Sequence, residues 1–271
     1  NLETASELEW AEAKAWIDMY HAAPEDYAQT YKLQIKHFNQ LVILMSGVIP
    51  FPHFNCVMGL GLAQPATKEL VDRVLTTFRD AQINNIYVRL IPHSQPDELP
   101  QWLQERNLRA KSGWDRIHRD DQPFLESAPR IIAGYGVEKI TQATAEEWAE
   151  FIIGVYGVPV KPWLMALVER DCWHHYVLRR GAKILAARSM YLNQDGTAWL
   201  GIDAPVPGVM VPSYDLDFQI CKAIVKDGLE LGAKQFIADI EAPSVGMNSP
   251  AYENFGTLGF SKLYLRNNYG Y

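Results

Sequence analysis

The chain has 271 residues, of which 48% are hydrophobic and 21% are charged, and its formal net charge at pH 7 is −7. This length fits two domains better than one, and the composition is that of an ordinary globular protein rather than a disordered chain. Lys and Arg do not cluster along the sequence. Because a phosphate backbone is bound by such clusters, nucleic acid is excluded as an expected partner.

The same sequence argues against membrane insertion and export. The strongest apolar run, Leu41–Met45, is far shorter than the roughly 20 residues that cross a bilayer. Asn1–Trp10 is acidic and lacks the basic start and apolar stretch of a secretory signal. The three cysteines, Cys56, Cys172 and Cys221, suit neither a disulfide framework nor a metal site. We therefore expect a cytoplasmic protein without membrane contact or metal, and the oligomeric state is left open.

The first predicted elements are helices. An apolar stripe at helical spacing predicts a helix over Thr4–Tyr20, and a second helix is predicted over Pro24–His37. The continuous apolar run Leu41–Ser46 predicts a buried strand. A strand–helix–strand–helix–strand series typical of α/β proteins follows, over Phe54–Leu62, Thr67–Ala81, Asn85–Ile91, Pro96–Arg106 and Leu108–Arg119.

The second half repeats this order. Asp, Pro, Ser and Gly gather over Asp120–Gly136, which predicts a boundary between a domain at 1–122 and another at 134–271. The elements predicted next are Val137–Thr141, Ala145–Tyr156, Pro162–Arg170, Trp173–Arg179 and Lys183–Leu192. The earlier series then returns as Thr197–Asp203, Asp215–Leu231, Gln235–Glu241, Ser249–Leu258 and Phe260–Asn267. Corresponding prolines lie about 150 positions apart, which predicts a tandem repeat of one domain type.

The last quarter of the chain carries the spacing of a known family. Within Asn248–Phe260, the Asn, Ala, Gly and Phe of that family's pattern stand at its offsets, and only its Tyr is changed, to Phe255. Together with the element order, Tyr135–Tyr271 resembles a GNAT-type N-acetyltransferase domain, and Pro50–Arg119 resembles one more weakly. The chain's ending also resembles bacterial tandem-GNAT proteins. The resemblance implies an α/β (α+β) protein with two tandem GNAT-like acyl-CoA N-acyltransferase domains, mixed central sheets and a degenerate first copy.

The resemblance also implies acetyl-CoA or another acyl-CoA as cofactor. The family holds the pyrophosphate in a Gly-rich loop that opens a long helix, where free amides meet the anion. Here Asp215 stands where the family has Arg or Gln, and Phe218 and Ile220 stand at the two Gly positions. The coenzyme-binding residues implied by the resemblance are Val209, Val211, Tyr214, Asn248 and Phe255.

Charge argues against an ordinary diphosphate site at this loop. Asp215 and Asp217 repel a diphosphate, at about 1 kcal/mol per charge pair at 4 Å in water and about 4 kcal/mol near a protein surface. We interpret these carboxylates as capping the helix themselves. In the first repeat the equivalent turn, Gly61–Thr67, ends in an ordinary N-cap residue, and no coenzyme is expected there.

The family's mechanism needs a base for the amine, an oxyanion donor and an acid for the thiolate. Asp203 and Glu241 are candidate bases because they end neighbouring predicted strands, although such carboxylates are often solvated or capping residues. Phe255 cannot be the acid. Tyr252 is the candidate in its place, with a packed aromatic as the alternative.

Other reactive side chains receive structural interpretations. His174 and His175 are adjacent on a strand, so they face opposite sides and cannot share a metal. Cys221 is interpreted as a buried hydrophobe. Trp148, Trp163 and Trp173 fall on the acceptor side that the resemblance implies, where core packing is the default interpretation and a substrate cleft the alternative.

Two main functions remain open from the sequence. The first is a GNAT-type transfer of an acetyl or acyl group from acyl-CoA to a small-molecule amine. The second is a catalytically inactive GNAT-fold binding or scaffold protein that does not bind CoA. An assembly subunit that uses the first repeat as an interface is a weaker third hypothesis.

Overall fold

The computed structural model describes residues 1–123, 133–205, 213–243 and 249–271. Two compact units emerge: unit 1 comprises Asn1–Arg116 with Tyr264–Tyr271, and unit 2 comprises Ile117–Leu263. Both are mixed α/β, as expected from the alternation of helical and strand patterns. Among the described helices, none combines the length and the apolar character needed to cross a membrane.

Unit 1 is a mixed sheet with a buried N-terminal helix. Its elements are α1 (Leu2–His21), α2 (Glu25–Thr30), β1 (Leu33–Phe38), β2 (Leu41–Ser46), β3 (Cys56–Met58), α3 (Lys68–Asp80), β4 (Tyr87–Leu90), α4 (Leu99–Glu105) and most of β5 (Arg109–Asp120). β1 with β2 and β2 with β3 pair antiparallel, whereas β3 and β4 are parallel. The strand order is β1-β2-β3-β4-β11, so the chain's last strand, β11 (Ser261–Gly270), pairs with β4.

One helix prediction in this region is wrong, and the predicted strand Phe54–Leu62 is reduced to Cys56–Met58. The predicted helix Pro24–His37 is only the six-residue α2, and the rest of that segment is strand β1. Lys32, between them, has φ 51°, which a continuing right-handed helix does not allow. Leu33 and Ile35 alternate with exposed polar residues, so the segment has the period of an edge strand.

Unit 1 buries an ion network beneath α1. Glu9 and Glu12 of α1 are buried, and so are Arg89 of β4, Arg116 of β5 and Arg266 of β11. Arg89 Nη1 lies 3.0 Å from Glu12 Oε1, and Arg266 Nη2 lies 2.5 Å from Glu12 Oε2. Arg116 bonds both carboxylates. These contacts fix α1 on the sheet, because the buried carboxylates of Glu9 and Glu12 cannot exchange their arginine partners for water.

Unit 2 has helices on both faces of its sheet. Its strands β6 (Tyr135–Lys139), β7 (Trp173–Arg180), β8 (Lys183–Leu192), β9 (Thr197–Pro205) and β10 (Gln235–Glu241) lie in the order β10-β9-β8-β7-β6. Its helices are α5 (Ala145–Tyr156), α6 (Lys161–Val168), α7 (Ser213–Glu230) and α8 (Pro250–Thr257). The predicted bounds of α5 and β10 are confirmed.

The alternation of side chains along β7 shows which helix covers which face of the unit 2 sheet. His175 contacts Trp148 of α5, with ring centroids 4.2 Å apart, whereas its neighbour Tyr176 bonds Asp227 of α7. Because adjacent residues of a strand point to opposite faces, α5 and α7 cover opposite faces of this sheet. The apolar residues of α7 and α8 form the unit's main core with Met190, Leu200 and Phe236.

Candidate active site

The central feature of unit 2 is a pair of parallel strands that separate. β9 and β10 pair at only three positions, Thr197–Trp199 with Gln235–Ile237. Beyond these positions β9 continues to Pro205 and β10 to Glu241, both within the described residues and without further pairing to each other. The carboxyl ends of the two strands therefore border a wedge, at the sheet edge where open α/β sheets place ligands.

The end of β9 is distorted by a bulge. In its pairing with β8, Ala187 lies opposite Ala204 and Ser189 lies opposite Gly201, so Arg188 faces two residues, Ile202 and Asp203. Ile202 has φ 48°, which is a genuine outlier for a β-branched side chain. Such bulges interrupt the hydrogen-bond ladder and redirect side chains, and strained residues of this kind concentrate at functional sites.

Arg188 is the buried charge opposite this bulge. It is 6% exposed, and its Nη2 lies 3.1 Å from Asp203 Oδ2 and 2.9 Å from Asp217 Oδ1 of α7. Burial by itself would lower the pKa of Arg188, but the two carboxylates outweigh it and the pKa is raised. The guanidinium also lies 5.6 Å from the ring centre of Phe255. A permanently charged arginine therefore joins the end of β9 to the start of α7.

The predicted catalytic residues lie at different depths. The side chain of Asp203 is 57% exposed despite its bond to Arg188. Glu241 is exposed at the end of β10, so both carboxylates border the wedge. Tyr252 of α8 is partly buried against the core. Their catalytic roles stay predictions.

Tyr156 contacts the same strand end and was not singled out from the sequence. It is the last residue of α5, it is 45% exposed, and its hydroxyl donates to the backbone carbonyl of Asp203. Desolvation of the phenol and the Asp203 carboxylate raise the pKa of Tyr156 to about 12, so the hydroxyl keeps its proton. No local pattern marks this tyrosine. For Arg188 a signal exists, since its charge interrupts the apolar middle of β8.

The residues predicted to hold a coenzyme are only partly described. Val209, Val211, Asn248 and the Tyr214 side chain lie outside the described residues. Helix α7 begins at Ser213, and Asp215 lies in its first turn. Only the first four amides of a helix lack an intrahelical acceptor. The amides from Asp217 onward therefore donate within α7 and are not available to a ligand.

Three further positions that the resemblance aligns with the family's coenzyme site lie in the core of unit 2. Phe218, Ile220 and Phe255 are each at most 3% exposed, and all belong to the core of unit 2. Phe255 also packs edge-on against Phe260, with ring centroids 5.2 Å apart. In unit 1, Thr67 caps α3 through a bond from the Leu70 amide to its Oγ1 at 3.1 Å, as predicted.

The remaining reactive side chains have structural surroundings. Burial raises the pKa of Cys221 well above its ordinary value, which keeps it a thiol. His175 is buried with Nδ1 2.6 Å from Ser189 Oγ, and burial lowers its pKa to about 3. Trp148, Trp163 and Trp173 are buried, as their default interpretation requires. Within the described ranges no group of three His, Cys, Asp or Glu side chains could hold a metal ion.

Comparison with known proteins gives the class of fold. No family model and no curated protein matches the sequence. Among solved structures, however, the chain is similar to several GCN5-related N-acetyltransferases, and its fold is GNAT-like. The sequence-based resemblance to this superfamily is thereby confirmed at the level of the fold.

Three solved structures illustrate the similarity. A GCN5-related N-acetyltransferase from Kribbella flavida is 13% identical, with 98% of this chain and 95% of that chain covered and a TM-score of 0.67. One from Sphaerobacter thermophilus is 14% identical, with 84% and 79% covered and a TM-score of 0.58. The tandem GNAT protein from the clavulanic acid biosynthesis pathway is 12% identical, with 84% and 77% covered and a TM-score of 0.56.

Proposed function

We propose that unit 2 is an N-acyltransferase that moves an acyl group from acyl-CoA to a small-molecule amine. The observation that carries this proposal is the separation of β9 and β10 after three paired positions. Two parted strands present unpaired backbone groups to each other. The narrow, amide-containing arm of an acyl-CoA fits such a wedge, since its amides can bond the strand edges as an added strand would.

The chemistry assigned to this wedge is aminolysis of a thioester. The amine nitrogen forms a bond to the acyl carbon, the carbon–sulfur bond breaks, and the coenzyme leaves as its thiol after gaining a proton. We assign the base to Glu241, because its exposed carboxylate borders the wedge, whereas the Asp203 carboxylate is already engaged by the ion pair with Arg188. Asp203 then serves to attract the cationic amine.

The remaining parts of the proposal concern the acid, the cofactor and the first unit. Tyr252 is the proposed proton donor to the thiolate, and acetyl-CoA is the simplest cofactor. Units 1 and 2 share the order strand, helix, parallel strand, helix, strand, which supports a tandem repeat with a degenerate first copy. We place the reaction in the cytoplasm, where three free cysteines stay reduced.

Binding of acetyl-CoA is the first test. A ligand present at 100 times its dissociation constant stabilises the folded protein by about 2.7 kcal/mol, which a thermal shift or a urea titration resolves. Acetyl-CoA and CoA should both stabilise the protein, whereas ATP at the same concentration, which lacks the pantetheine arm, should not. Absence of any shift at millimolar acetyl-CoA would contradict the proposal and leave the non-catalytic binding protein.

Catalysis is tested by a matched pair of variants. Glu241→Gln removes the proposed base and is expected to lower acyl transfer to a panel of small amines by 10² to 10⁴, approximately, with acetyl-CoA binding unchanged. Glu230→Gln changes an exposed glutamate on α7 and should leave the rate unchanged. Release of free CoA thiol is the readout. Equal rates for the two variants would remove Glu241 from the mechanism.

A further inference from the structure

We propose that Tyr156 and Arg188 are positioning residues that hold the bulged end of β9 from opposite faces of the sheet. Neither contact belongs to the strand ladder: one reaches the Asp203 backbone and the other its side chain. Only the consequence for ligand binding at this strand end rests on the proposed function. The holding itself concerns the protein without ligand.

The first hold comes from the α5 face. Tyr156 is the last residue of α5, and Gly157 follows in the left-handed region with φ 74°, where its amide donates to the Ile153 carbonyl at 2.7 Å. That cap ends the helix at Tyr156. Its hydroxyl then reaches the backbone carbonyl of Asp203, which is 47 residues away in sequence.

The second hold comes from the α7 face. A single nitrogen of Arg188, Nη2, bridges the carboxylates of Asp203 and Asp217. Among the described residues, the buried Nε of Arg188 meets no hydrogen-bond acceptor. A buried donor left unpaired is unfavourable. The position of this guanidinium therefore does not give each of its N–H groups an acceptor. Its geometry instead ties the end of β9 to the first turns of α7.

These two contacts to Asp203 account for the backbone strain at the residue before it. Ile202 adopts φ 48° although its side chain is β-branched, and such a conformation persists only where the surroundings impose it. Asp203, the next residue, is held on both faces. Without these contacts we expect β9 to relax toward regular pairing, which would narrow the wedge between β9 and β10.

The test uses Tyr156→Phe, which deletes one hydroxyl from a side chain that is 45% exposed, with Tyr271→Phe as the matched control at 47%. Hydrogen–deuterium exchange of the peptide spanning 197–205 is measured without ligand. Loss of one hydrogen bond should speed exchange there about three- to tenfold, with no change in the strands of unit 1. Unchanged exchange in Tyr156→Phe would overturn the inference.

Acetyl-CoA affinity separates positioning from general stability. Tyr156→Phe should raise the dissociation constant about three- to tenfold while the urea midpoint stays near that of Tyr271→Phe. Arg188→Lys keeps the charge, but its shorter side chain withdraws the bridging nitrogen from Asp203 and Asp217, so it should show the same local exchange change. If exchange responds but the wild-type protein does not bind acetyl-CoA, the proposed function fails and the holding of β9 stands. If affinity is unchanged although exchange responds, the two are not positioning residues for the ligand.

Discussion

At the scale of single residues, the charges around the wedge would govern how tightly unit 2 binds the acyl-CoA of the proposed function. Asp203, Asp215 and Asp217 flank the wedge and the first turns of α7, and Arg188 is the buried cation bonded to two of them. Carboxylates near a helix N-terminus stabilise the helix. The same charges oppose a diphosphate approaching those amides, so this site is expected to bind acyl-CoA more weakly than a neutral helix start would.

Asp215→Asn tests this expectation. The change removes one negative charge from the first turn of α7 without touching Arg188, whose carboxylate partners are Asp203 and Asp217. Relief of one like-charge contact is worth about 1 kcal/mol in a water-exposed setting, which corresponds to roughly fivefold tighter acetyl-CoA binding. Calorimetry at low and high salt measures it, and the gain should shrink as salt rises.

The control for this substitution is Asp171→Asn, an exposed aspartate elsewhere in unit 2. It changes the net charge by the same amount at a position outside the elements that border the wedge, so the affinity should not respond. Equal tightening in both variants would attribute the effect to net charge and not to the start of α7. Weaker binding in Asp215→Asn alone would contradict a diphosphate at this helix end.

At the scale of elements, α1 is fixed by buried ion pairs whose charged groups are shielded from water. Burial alone would raise the pKa of both glutamates, but the arginines, with Arg266 the strongest, hold the pKa of Glu9 and Glu12 below the ordinary value of 4.5. A lowered folded-state pKa contributes stability above the unfolded pKa, and this contribution is lost as pH falls. Acid should therefore loosen α1.

Arg266→Met is the corresponding prediction. It leaves buried carboxylates short of a partner and should cost about 3–5 kcal/mol of the free energy of unfolding at pH 7. Because the remaining arginines depress the pKa of Glu9 and Glu12 less, the difference from wild type should shrink as pH falls below about 4. Urea unfolding at pH 7 and pH 3.5 measures both effects.

Arg106→Met is the surface counterpart. Arg106 pairs with Asp72 at 2.5 Å, but the Asp72 side chain is 59% exposed. Solvent screens such a pair, so the cost should be at most about 1 kcal/mol. A similar cost for Arg266→Met would show that the buried network contributes no more than a surface pair.

The elements and the site differ in how far the sequence reveals them. Strong periodicity predicts α1, α5 and β10 closely, whereas the short alternation of β1 directly follows a helical segment and is obscured by it. The strand-end rule found Asp203 and Glu241, because it depends on position along a strand. Arg188 and Tyr156 act through partners 15 to 47 residues away, and such contacts exist only once the sheet has formed.

At the scale of the whole molecule, the chain does not divide at a single point. Unit 1 contains Tyr264–Tyr271 from the chain's end, and the divisions between units fall within β5 and β11. The sequence instead predicts a domain at 1–122. That fragment would lack the Tyr264 hydroxyl, which lies 3.0 Å from Glu9 Oε1, and it would lack Arg266. Strand β4 would also lose its β11 partner at Val88–Leu90.

We therefore expect the isolated fragment 1–122 not to fold. Fusing residues 264–271 to this fragment through a flexible linker of about 20 Gly and Ser residues should restore folding. Circular dichroism and the dispersion of amide resonances report on both. The matched control is the same fusion with Tyr264→Phe and Arg266→Met, which keeps the added strand but removes its bonds to Glu9 and Glu12. A cooperative, dispersed fragment 1–122 would show instead that the predicted domain is autonomous and that the last strand only adds to a core already complete.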